Sequence, residues 1–388
     1  MNRTENMVLS YPGKKNEDEI IQGTPLAKLH LNKTIGPENP SPNMIIEGDN
    51  LPILKTLLEV YGLRGKVDLV YIDPPFSTNN TFKSGETRTS TISPGHSDPV
   101  AYFDNLTGYR FLEFLRERLI LLREILADHG SIYVHIDAKA GHYLKVIMDE
   151  VFGGENFRND ITRIKCNPKN FKRRGFGNIK DMILFYSKTD YFTWNDPKEP
   201  MTDGAAEALC PKVDKNGKHY TTIPLHAPGE TRNGETGKPW RGMLPPKGRH
   251  WRCAPSLFDE LDKQGLIEWS STGNPRRIIY AEEKIRGGKR LQDIWSFKDG
   301  PYPDYPTEKN LDLLRTVINA SSNPGDFVLD CFCGSGTTLI AAQQLGRRWI
   351  GIDQSAVAIS AFFKRLKKAA PQTSLFNSVQ GYQYFKSD

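Results

Sequence analysis

The spacing of hydrophobic positions predicts alternating strands and helices over the first half of the chain. Short apolar runs indicate strands at 44–49, 67–72, 131–136 and 182–186. Apolar residues with helical spacing lie between these runs, at 51–61, 111–126 and 142–151. A long polar stretch, 77–105, follows the second strand and is typical of a functional loop. This alternation predicts a sheet that carries helices on its faces.

The same alternation returns near the C-terminus after an interruption. Helices are predicted at 308–320, 338–345 and 356–368, with strands at 327–330 and 349–352. The intervening residues 189–300 are rich in Gly and Pro, have short strand signals, and contain five of the six Trp residues. We therefore predict one α/β domain that is interrupted by an insertion.

The composition narrows the class of protein. Hydrophobic residues make up 38% of the 388-residue chain, which is enough for a large core and too much for a disordered protein. No apolar run is long enough to span a membrane. The polar N-terminus lacks the core of a signal peptide and predicts a cytoplasmic protein. Five Cys residues in so long a chain predict free thiols.

The distribution of charge adds a candidate partner. The net charge is +6, but residues 160–300 contain 26 Lys and Arg against 18 Asp and Glu. The rest of the chain contains 26 Lys and Arg against 28 Asp and Glu, so the whole positive excess lies in the middle of the chain. Such a segment is typical of a surface that attracts a polyanion.

A glycine-rich turn marks the predicted strand-to-helix junction at 330–338. Gly334 and Gly336 allow the backbone to approach a ligand closely, and the following helix N-terminus offers N–H groups to a carboxylate. Asp353 ends the next strand, where an acid holds ribose hydroxyls in nucleotide-binding sheets. Leu339 occupies the position of the third dinucleotide glycine, so the turn predicts a nucleoside cofactor other than NAD.

A second motif, Asp73-Pro74-Pro75-Phe76, follows a predicted buried strand. A residue before proline is held in extended geometry, so the Asp73 carboxylate and the Pro74 carbonyl can face one point. Two converging acceptors suit an exocyclic NH₂ group, which has two N–H donors. Phe76 supplies a flat face on which a base could stack.

Together, Asp73-Pro-Pro-Phe76 and Phe332-Cys-Gly-Ser-Gly-Thr-Thr338 resemble the amino-methyltransferases of bacterial DNA modification. These enzymes transfer a methyl group from S-adenosylmethionine to adenine N6 or cytosine N4. The order, with the catalytic motif first, is similar to the permuted β group, whose target-recognition region lies between the two halves. The resemblance covers nearly all of 44–370, and parts of the insertion are similar to adenine methyltransferases related to type III modification subunits.

The resemblance implies a seven-stranded, mostly parallel, Rossmann-like methyltransferase sheet with an inserted recognition region. The implied segments are a 1–43 N-terminal extension, a 44–188 catalytic half, a 189–300 target-recognition insertion, a 301–370 cofactor-binding half and a 371–388 C-terminal tail.

The resemblance also assigns site residues. The implied catalytic residues are Asp73, Pro74, Pro75 and Phe76. The implied cofactor-binding residues are Asp49, Thr307, Lys309, Asp330, Phe332, Cys333, Gly334, Ser335, Gly336, Thr337, Thr338 and Asp353. Candidate DNA contacts in the basic insertion are Arg241, Arg249, Arg252, Arg276 and Arg277. We expect no metal at Cys331-x-Cys333, because two thiols without partner spacing do not make a zinc site, and we interpret His135 as a structural histidine.

The implied reaction is methylation of adenine N6 in double-stranded DNA after the base is flipped out of the duplex. Adenine is favoured because the family's N4-cytosine enzymes more often carry Ser at the position of Asp73. Cytosine N4 methylation, a non-catalytic DNA-binding relative, and an enzyme acting on a protein amide or a small molecule are the alternatives. A second copy of the chain and a restriction subunit are candidate partners. The expected location is the bacterial cytoplasm, in association with the nucleoid.

Overall fold

The computed structural model describes residues 7–36, 43–75, 81–83, 100–103, 108–167, 174–231, 233–299, 309–369 and 381–388. The chain divides into two compact units. The first combines Met1–Asn195 with Gln292–Asp388, and the second is Asp196–Leu291. The segment boundaries that the sequence predicts, including 189 and 300 for the insertion, stay predictions.

The helices alternate with strands as the hydrophobic pattern predicts. In chain order they are α1 (Glu17–Gly23), α2 (Asn50–Glu59), α3 (Tyr109–Ile125), α4 (Ala138–Phe152), α5 (Asp203–Ala208), α6 (Pro255–Lys263), α7 (Ala281–Gly287), α8 (Leu311–Ser321), α9 (Thr337–Gln344) and α10 (Ala356–Ala369).

The strands are β1 (Leu29–Ile35), β2 (Asn43–Glu47), β3 (Val67–Ile72), β4 (Thr81–Lys83), β5 (Val100–Phe103), β6 (Leu126–Ile136), β7 (Phe157–Ile164), β8 (Lys180–Ser187), β9 (Lys198–Glu199), β10 (Lys212–Val213), β11 (His219–Pro224), β12 (His226–Pro228), β13 (Arg249–Trp251), β14 (Ile267–Trp269), β15 (Pro275–Tyr280), β16 (Lys289–Arg290), β17 (Ile294–Trp295), β18 (Phe327–Asp330), β19 (Arg348–Asp353) and β20 (Tyr382–Ser387).

The first unit is built on one sheet with the strand order β1-β20-β2-β19-β18-β3-β6-β8-β7-β17. The strands from β20 through β6 run parallel to one another. At the two margins, β1 and β8 pair antiparallel with their neighbours. The predicted mostly parallel α/β sheet is therefore confirmed. The predicted count of seven strands is not, since the sheet formed by the described residues has ten.

The hydrophobic pattern misses four strands of this sheet, which are β1, β7, β17 and β20. The edge strand β1 exposes the side chains between its two ends and so lacks an apolar run. β17 is only two residues long and gives no periodic signal. These strands form because the backbone of a neighbouring strand offers hydrogen bonds, which the sequence of a single segment does not show.

Helices pack on the sheet through apolar faces. α2, α3 and α4 share one core cluster with β2, β3 and β6, to which α3 contributes Phe111, Leu115, Leu119 and Leu122. Farther along the chain, α8 contacts β3 and β6, α9 contacts β18 and β19, and α10 contacts β2 and β19. None of the helices in the described part of the chain is long and apolar enough to cross a membrane.

The second unit has its own small core. The strands β10, β11, β15 and β14 form an antiparallel sheet, and β12 pairs with β13 in a separate ribbon. Leu225, Trp240, Trp251 and Phe258 are buried together between these elements and α6. Two of the tryptophans of the Trp-rich segment therefore stabilise this unit by packing.

Candidate active site

Four neighbouring parallel strands each end at an aspartate. In sheet order the strands are β2, β19, β18 and β3. Asp49 follows β2 after Gly48, Asp353 and Asp330 are the last residues of β19 and β18, and Asp73 follows β3 directly. The carboxyl ends of parallel strands share one edge of a sheet, where ligands of open α/β sheets bind. The fold thus brings together four acids that are far apart in the sequence.

The glycine-rich turn between β18 and α9 is held by the two central acids. Asp330 accepts hydrogen bonds from the Phe332 N–H at 3.0 Å and from the Thr338 hydroxyl at 2.6 Å. Asp353 accepts from the Gly334 N–H at 2.8 Å and from the Ser355 N–H at 2.8 Å. Both carboxyl groups therefore shape the backbone that would lie against a cofactor.

Two of the glycines are required by this geometry. Gly334 and Gly336 have φ values of 52° and 77°, in the left-handed region that favours glycine. A Cβ atom at Gly336 would also overlap the ring of Phe362 on α10. The glycine spacing thus serves both the turn and the packing of α10 against it.

Burial disfavours the charged forms of the two central carboxyl groups of this edge. Burial raises the pKa of Asp330 to about 7 and that of Asp353 to about 6. A cation placed near these groups would be stabilised by their ionised forms, so binding of a cation and loss of the carboxyl protons are expected to be coupled.

Arg365 on α10 is a residue that the sequence pattern did not single out. Its guanidinium donates hydrogen bonds to the Ser335 hydroxyl at 2.7 Å, the Ser335 carbonyl at 3.2 Å and the Thr337 hydroxyl at 2.9 Å. Ser335 and Thr337 are themselves almost fully buried. These predicted cofactor residues are therefore held by α10.

Asp49 belongs to a second network. Its carboxylate caps α2 through the Leu51 N–H and accepts a hydrogen bond from the buried Arg118 at 3.0 Å. Arg118 also donates to the Asn50 side chain, which in turn donates to the Cys331 carbonyl at 2.7 Å. The signal for Arg118 in the sequence is a charged residue on the apolar face of α3.

Asp73 is anchored from one side. Its Oδ2 atom lies 2.7 Å from the Lys309 ammonium group. Its Oδ1 atom is buried and has no hydrogen-bond partner within the described part of the chain. Pro74 is buried and Pro75 half-buried beside it. Phe76 and Thr307, which the sequence also places in the site, lie outside the described residues.

The remaining predicted cofactor residues also lie at this edge. Phe332 packs against the ring of Phe114 with 6.0 Å between ring centroids. Cys333 is buried, and its N–H donates to the Ile352 carbonyl at 3.1 Å. Burial raises the pKa of the Cys331 and Cys333 thiols. No group of three or more metal-ligating side chains is present among the residues that the structure describes.

The five arginines of the second unit fall into two groups. Arg241 forms ion pairs with Asp259 at 3.1 Å and Asp262 at 2.7 Å, and Arg277 pairs with Glu283 at 2.9 Å. These two are therefore bound to carboxylates within their own unit.

The other three, Arg249, Arg252 and Arg276, surround His226. Burial and then these three arginines lower the pKa of His226, and Arg249 donates a hydrogen bond to its Nδ1 at 3.2 Å. Arg249 and Arg252 are exposed. Neither of these two forms an ion pair with a carboxylate among the described residues. Arg276, by contrast, is opposite Glu268 of β14 and donates hydrogen bonds to Thr222.

Comparison with known proteins places this arrangement in context. Residues 67–364 match a family model described as DNA methylase, of the N6/N4 methyltransferase type. The type II methyltransferase M.EcaI of Enterobacter cloacae is 44% identical to this chain over 368 residues, which cover 92% of this chain and 77% of that protein.

More distant matches were found as well. The StyLTI Mod subunit of a type III restriction-modification enzyme from Salmonella typhimurium is 26% identical over 356 residues. That match covers 80% of this chain but 51% of the subunit, so the chain spans about half the length of that relative. The crystal structure of the M1.HpyAVI-SAM complex aligns with a TM-score of 0.42 at 18% identity, covering 83% of this chain and 99% of that one.

Proposed function

Because the chain belongs to the N6/N4 DNA methylase family, we propose that it methylates adenine N6 at one sequence motif in double-stranded DNA, with S-adenosylmethionine as the methyl donor. The observation that carries this proposal is the row of aspartates on four adjacent strand ends, with Asp73-Pro74-Pro75 beside the glycine-rich turn in the sheet.

The cofactor would lie along the row from Asp49 to Asp330. Each carboxylate oxygen of Asp353 accepts one backbone hydrogen bond and keeps a second lone pair, which suits the ribose hydroxyls. Asp49, exposed at 60% of its side chain, is placed for the adenine amine. Asp330 and Arg365 hold the turn whose helix N-terminus suits the methionine carboxylate. The positive sulfonium would favour the ionised forms of these acids.

The chemistry requires only orientation and electrostatics. The adenine amine is a weak nucleophile because its lone pair is delocalised into the ring. The Asp73 carboxylate and the Pro74 carbonyl would each accept a hydrogen bond from one N–H group of the amine. These two hydrogen bonds would turn the lone pair of the nitrogen towards the methyl group. A new N–C bond would form from the amine lone pair while the S–C bond breaks and leaves its electron pair on the sulfur, and the methylated amine would pass one proton through Asp73 to solvent. Oδ2 of Asp73 has a second lone pair for this contact while Lys309 keeps the carboxylate in place.

Lys309 has two candidate roles under this proposal. The resemblance assigns it to the methionine end of the cofactor, whereas its ammonium group lies 2.7 Å from Asp73. A lysine between the two reactants can serve both, because it has three N–H donors. Thr307 and Phe76 keep their implied roles in cofactor binding and base stacking.

DNA would be held by the basic second unit. The exposed Arg249 and Arg252 beside His226 suit phosphate groups, since neither forms an ion pair with a carboxylate among the described residues. Arg241 and Arg277 are less suited to this role because their ion pairs would have to break.

The choice of adenine rests on the motif Asp73-Pro74-Pro75-Phe76, and the relatives suggest the partners. Type III Mod subunits and a type II methyltransferase are among them. The identity of 44% to a type II methyltransferase, against 26% to a Mod subunit, favours a type II methyltransferase that works separately from a restriction enzyme. We further propose a homodimer in the bacterial cytoplasm, acting on nucleoid DNA. Light scattering of the purified protein tests the dimer, since a mass of 43.9 kDa would contradict it.

The proposal is tested by expressing the protein in a host that lacks DNA methylation and sequencing the modified bases. We expect N6-methyladenine at one defined motif. Substitution Asp73→Ala should lower methyl transfer by at least about 100-fold while S-adenosylmethionine binding, measured by calorimetry, is retained. The exposed Asp190→Ala variant is the control. N4-methylcytosine would overturn the choice of base, and transfer by Asp73→Ala would refute the role of Asp73.

A further inference from the structure

A row of polar side chains crosses the sheet beside Asp73, in the first unit. Strand register places His135 on β6 next to Asp73, because Tyr71 pairs with Tyr133. His135 pairs with Ile183 on β8, two residues from Asp181, and Asp181 is opposite Arg163 on β7. Side chains alternate between the faces of a strand, so these residues share one face of the sheet. We call the set Tyr71, Asp73, His135, Asp181, Arg163 and Lys165 the polar row.

The polar row is connected by short contacts. The Tyr71 hydroxyl lies 2.8 Å from His135 Nδ1, and Asp181 Oδ2 lies 3.3 Å from His135 Nε2. Lys165 donates to Asp181 Oδ1 at 2.7 Å, and Arg163 NH1 lies 3.7 Å from Asp181 Oδ2. Arg163 also donates to the Phe297 carbonyl and pairs with Asp299. His135 has no exposed surface, and Asp181 is 2% exposed.

These contacts fix which nitrogen of His135 carries the hydrogen. Burial lowers the pKa of His135, which keeps the ring neutral. Burial alone would raise the pKa of Asp181, but the hydrogen bond from His135 and the pair with Lys165 hold it below its usual value. An ionised carboxylate can only accept, so the hydrogen lies on Nε2. Nδ1 then accepts from the Tyr71 hydroxyl.

This choice of tautomer matters for Asp73. The inner oxygen of Asp73, Oδ1, lies 3.9 Å from His135 Nδ1 and has no hydrogen-bond partner among the described residues. A hydrogen on Nδ1 would instead be donated to the Tyr71 hydroxyl oxygen, 2.8 Å away. The Tyr71 hydrogen would then be free to turn towards the nearby Asp73 carboxylate and to draw negative charge away from it. In the Nε2–H tautomer, the negative charge of the Asp73 carboxylate stays available at Oδ2, to which the substrate amine would donate a hydrogen bond. A buried acceptor left without a hydrogen-bond donor destabilises the fold, which is typical of a functional site rather than of simple packing.

We propose that His135 and Asp181 are positioning residues for Asp73: Asp181 holds His135 as the Nε2–H tautomer, so that neither His135 nor Tyr71 donates a hydrogen to Asp73 Oδ1 and the carboxylate remains a strong acceptor for the target amine. This inference rests on the proposed function, since it assigns Asp73 to the amine. It changes the interpretation of His135 from a structural to a positioning residue.

The tautomer is measured directly in the wild-type protein. The chain has eight His residues, so ¹⁵N-histidine labelling gives few ring signals, and a His135→Gln spectrum identifies the signal of His135. Two-bond proton–nitrogen NMR spectra distinguish the tautomers. We expect a protonated Nε2 and an unprotonated Nδ1. A hydrogen on Nδ1, alone or in an imidazolium, would overturn the proposal even if no variant can be purified.

The Asp181→Asn variant tests the consequence. Lys165 would attract the amide oxygen, which leaves the NH₂ group facing His135 Nε2 and moves the hydrogen to Nδ1. We expect the NMR signature to change, kcat to fall by about 100-fold, and the Kd for S-adenosylmethionine to stay unchanged. Asp160→Asn, an exposed aspartate on β7, is the matched control and should keep both the tautomer and kcat.

The possible results separate this inference from the proposed function. Wild-type protein that transfers no methyl group to DNA refutes the proposed function and this inference together. Active wild-type protein with the Nδ1–H tautomer refutes only this inference. An Asp181→Asn variant that changes tautomer yet keeps its kcat, or loses kcat without a change of tautomer, also refutes it.

Discussion

Single carboxyl groups in this protein differ sharply according to their neighbours. Asp330 receives hydrogen bonds only from neutral groups and is buried, so its pKa rises to about 7. Asp181 is equally buried but lies beside Lys165 and His135, which lower its pKa. Burial alone therefore does not set the protonation state of an acid; the charge of its partners does.

The pKa of Asp330 predicts how its contribution to stability depends on pH. The folded chain keeps a proton on Asp330 that the unfolded chain releases between about pH 4 and pH 7. The stabilising contribution of this group is therefore full below pH 4 and is lost as the pH rises through 7. We expect the free energy of unfolding of the wild type, relative to Asp330→Asn, to fall by up to about 4 kcal/mol from pH 4 to pH 8.

Urea unfolding of both proteins across this range measures the difference. Groups that the two proteins share cancel in it, including His135, whose lowered pKa has the opposite effect. A difference that stays constant with pH, or that rises, would contradict the protonation of Asp330 in the folded state.

At the scale of elements, the turn before α9 depends on what packs behind it. Gly336 and Gly346 have nearly the same φ values, 77° and 72°. A Cβ atom at Gly336 would overlap Phe362 of α10, whereas the nearest atom to one at Gly346 is Pro324 Cβ, 4.0 Å away. The same local conformation therefore has different consequences in different surroundings.

We predict that Gly346→Ala lowers the free energy of unfolding by about 1 kcal/mol, since only the backbone is strained. Gly336→Ala should cost at least about 2 kcal/mol more, because Phe362 must move, and it should weaken cofactor binding. Thermal unfolding and calorimetry with S-adenosylmethionine measure the two effects. Equal losses of stability in the two variants would show that the contact with Phe362 contributes little.

At the scale of the whole molecule, positive charge is divided between the two units. The unit Asp196–Leu291 contains 17 Lys and Arg against 13 Asp and Glu. Residues 160–195, in the first unit, contain 8 against 3. The basic excess of the middle of the chain is thus not confined to the insertion. Within the second unit, ion pairs cancel part of the charge and leave the cluster around His226.

This division predicts different behaviour for two arginines of the same unit. Arg249→Gln should weaken DNA binding and reduce the slope of log Kd against log salt concentration by about 1, because a phosphate contact is lost. Arg241→Gln should leave that slope unchanged and lower the melting temperature instead, since its partners are Asp259 and Asp262. Fluorescence anisotropy across a salt series measures both slopes. A reduced slope in Arg241→Gln alone would reverse the assignment.

The alternation of strands and helices, the family and the acids that end the central strands are all predictable from the sequence alone, because each depends on a local pattern or a short motif. The sequence did not predict the ten-stranded sheet, since β1 exposes most of its side chains and β17 is too short to give a periodic signal. Nor did it reveal Arg365, Arg118 or the polar row.

Those features depend on distances between segments far apart in the chain. Arg365 contacts Ser335, and His135 contacts Asp181, only because the sheet places their strands and helices side by side. Strand order, burial and the pairing of charges are properties of the folded molecule, and they decide which nitrogen, oxygen or guanidinium group remains available for chemistry.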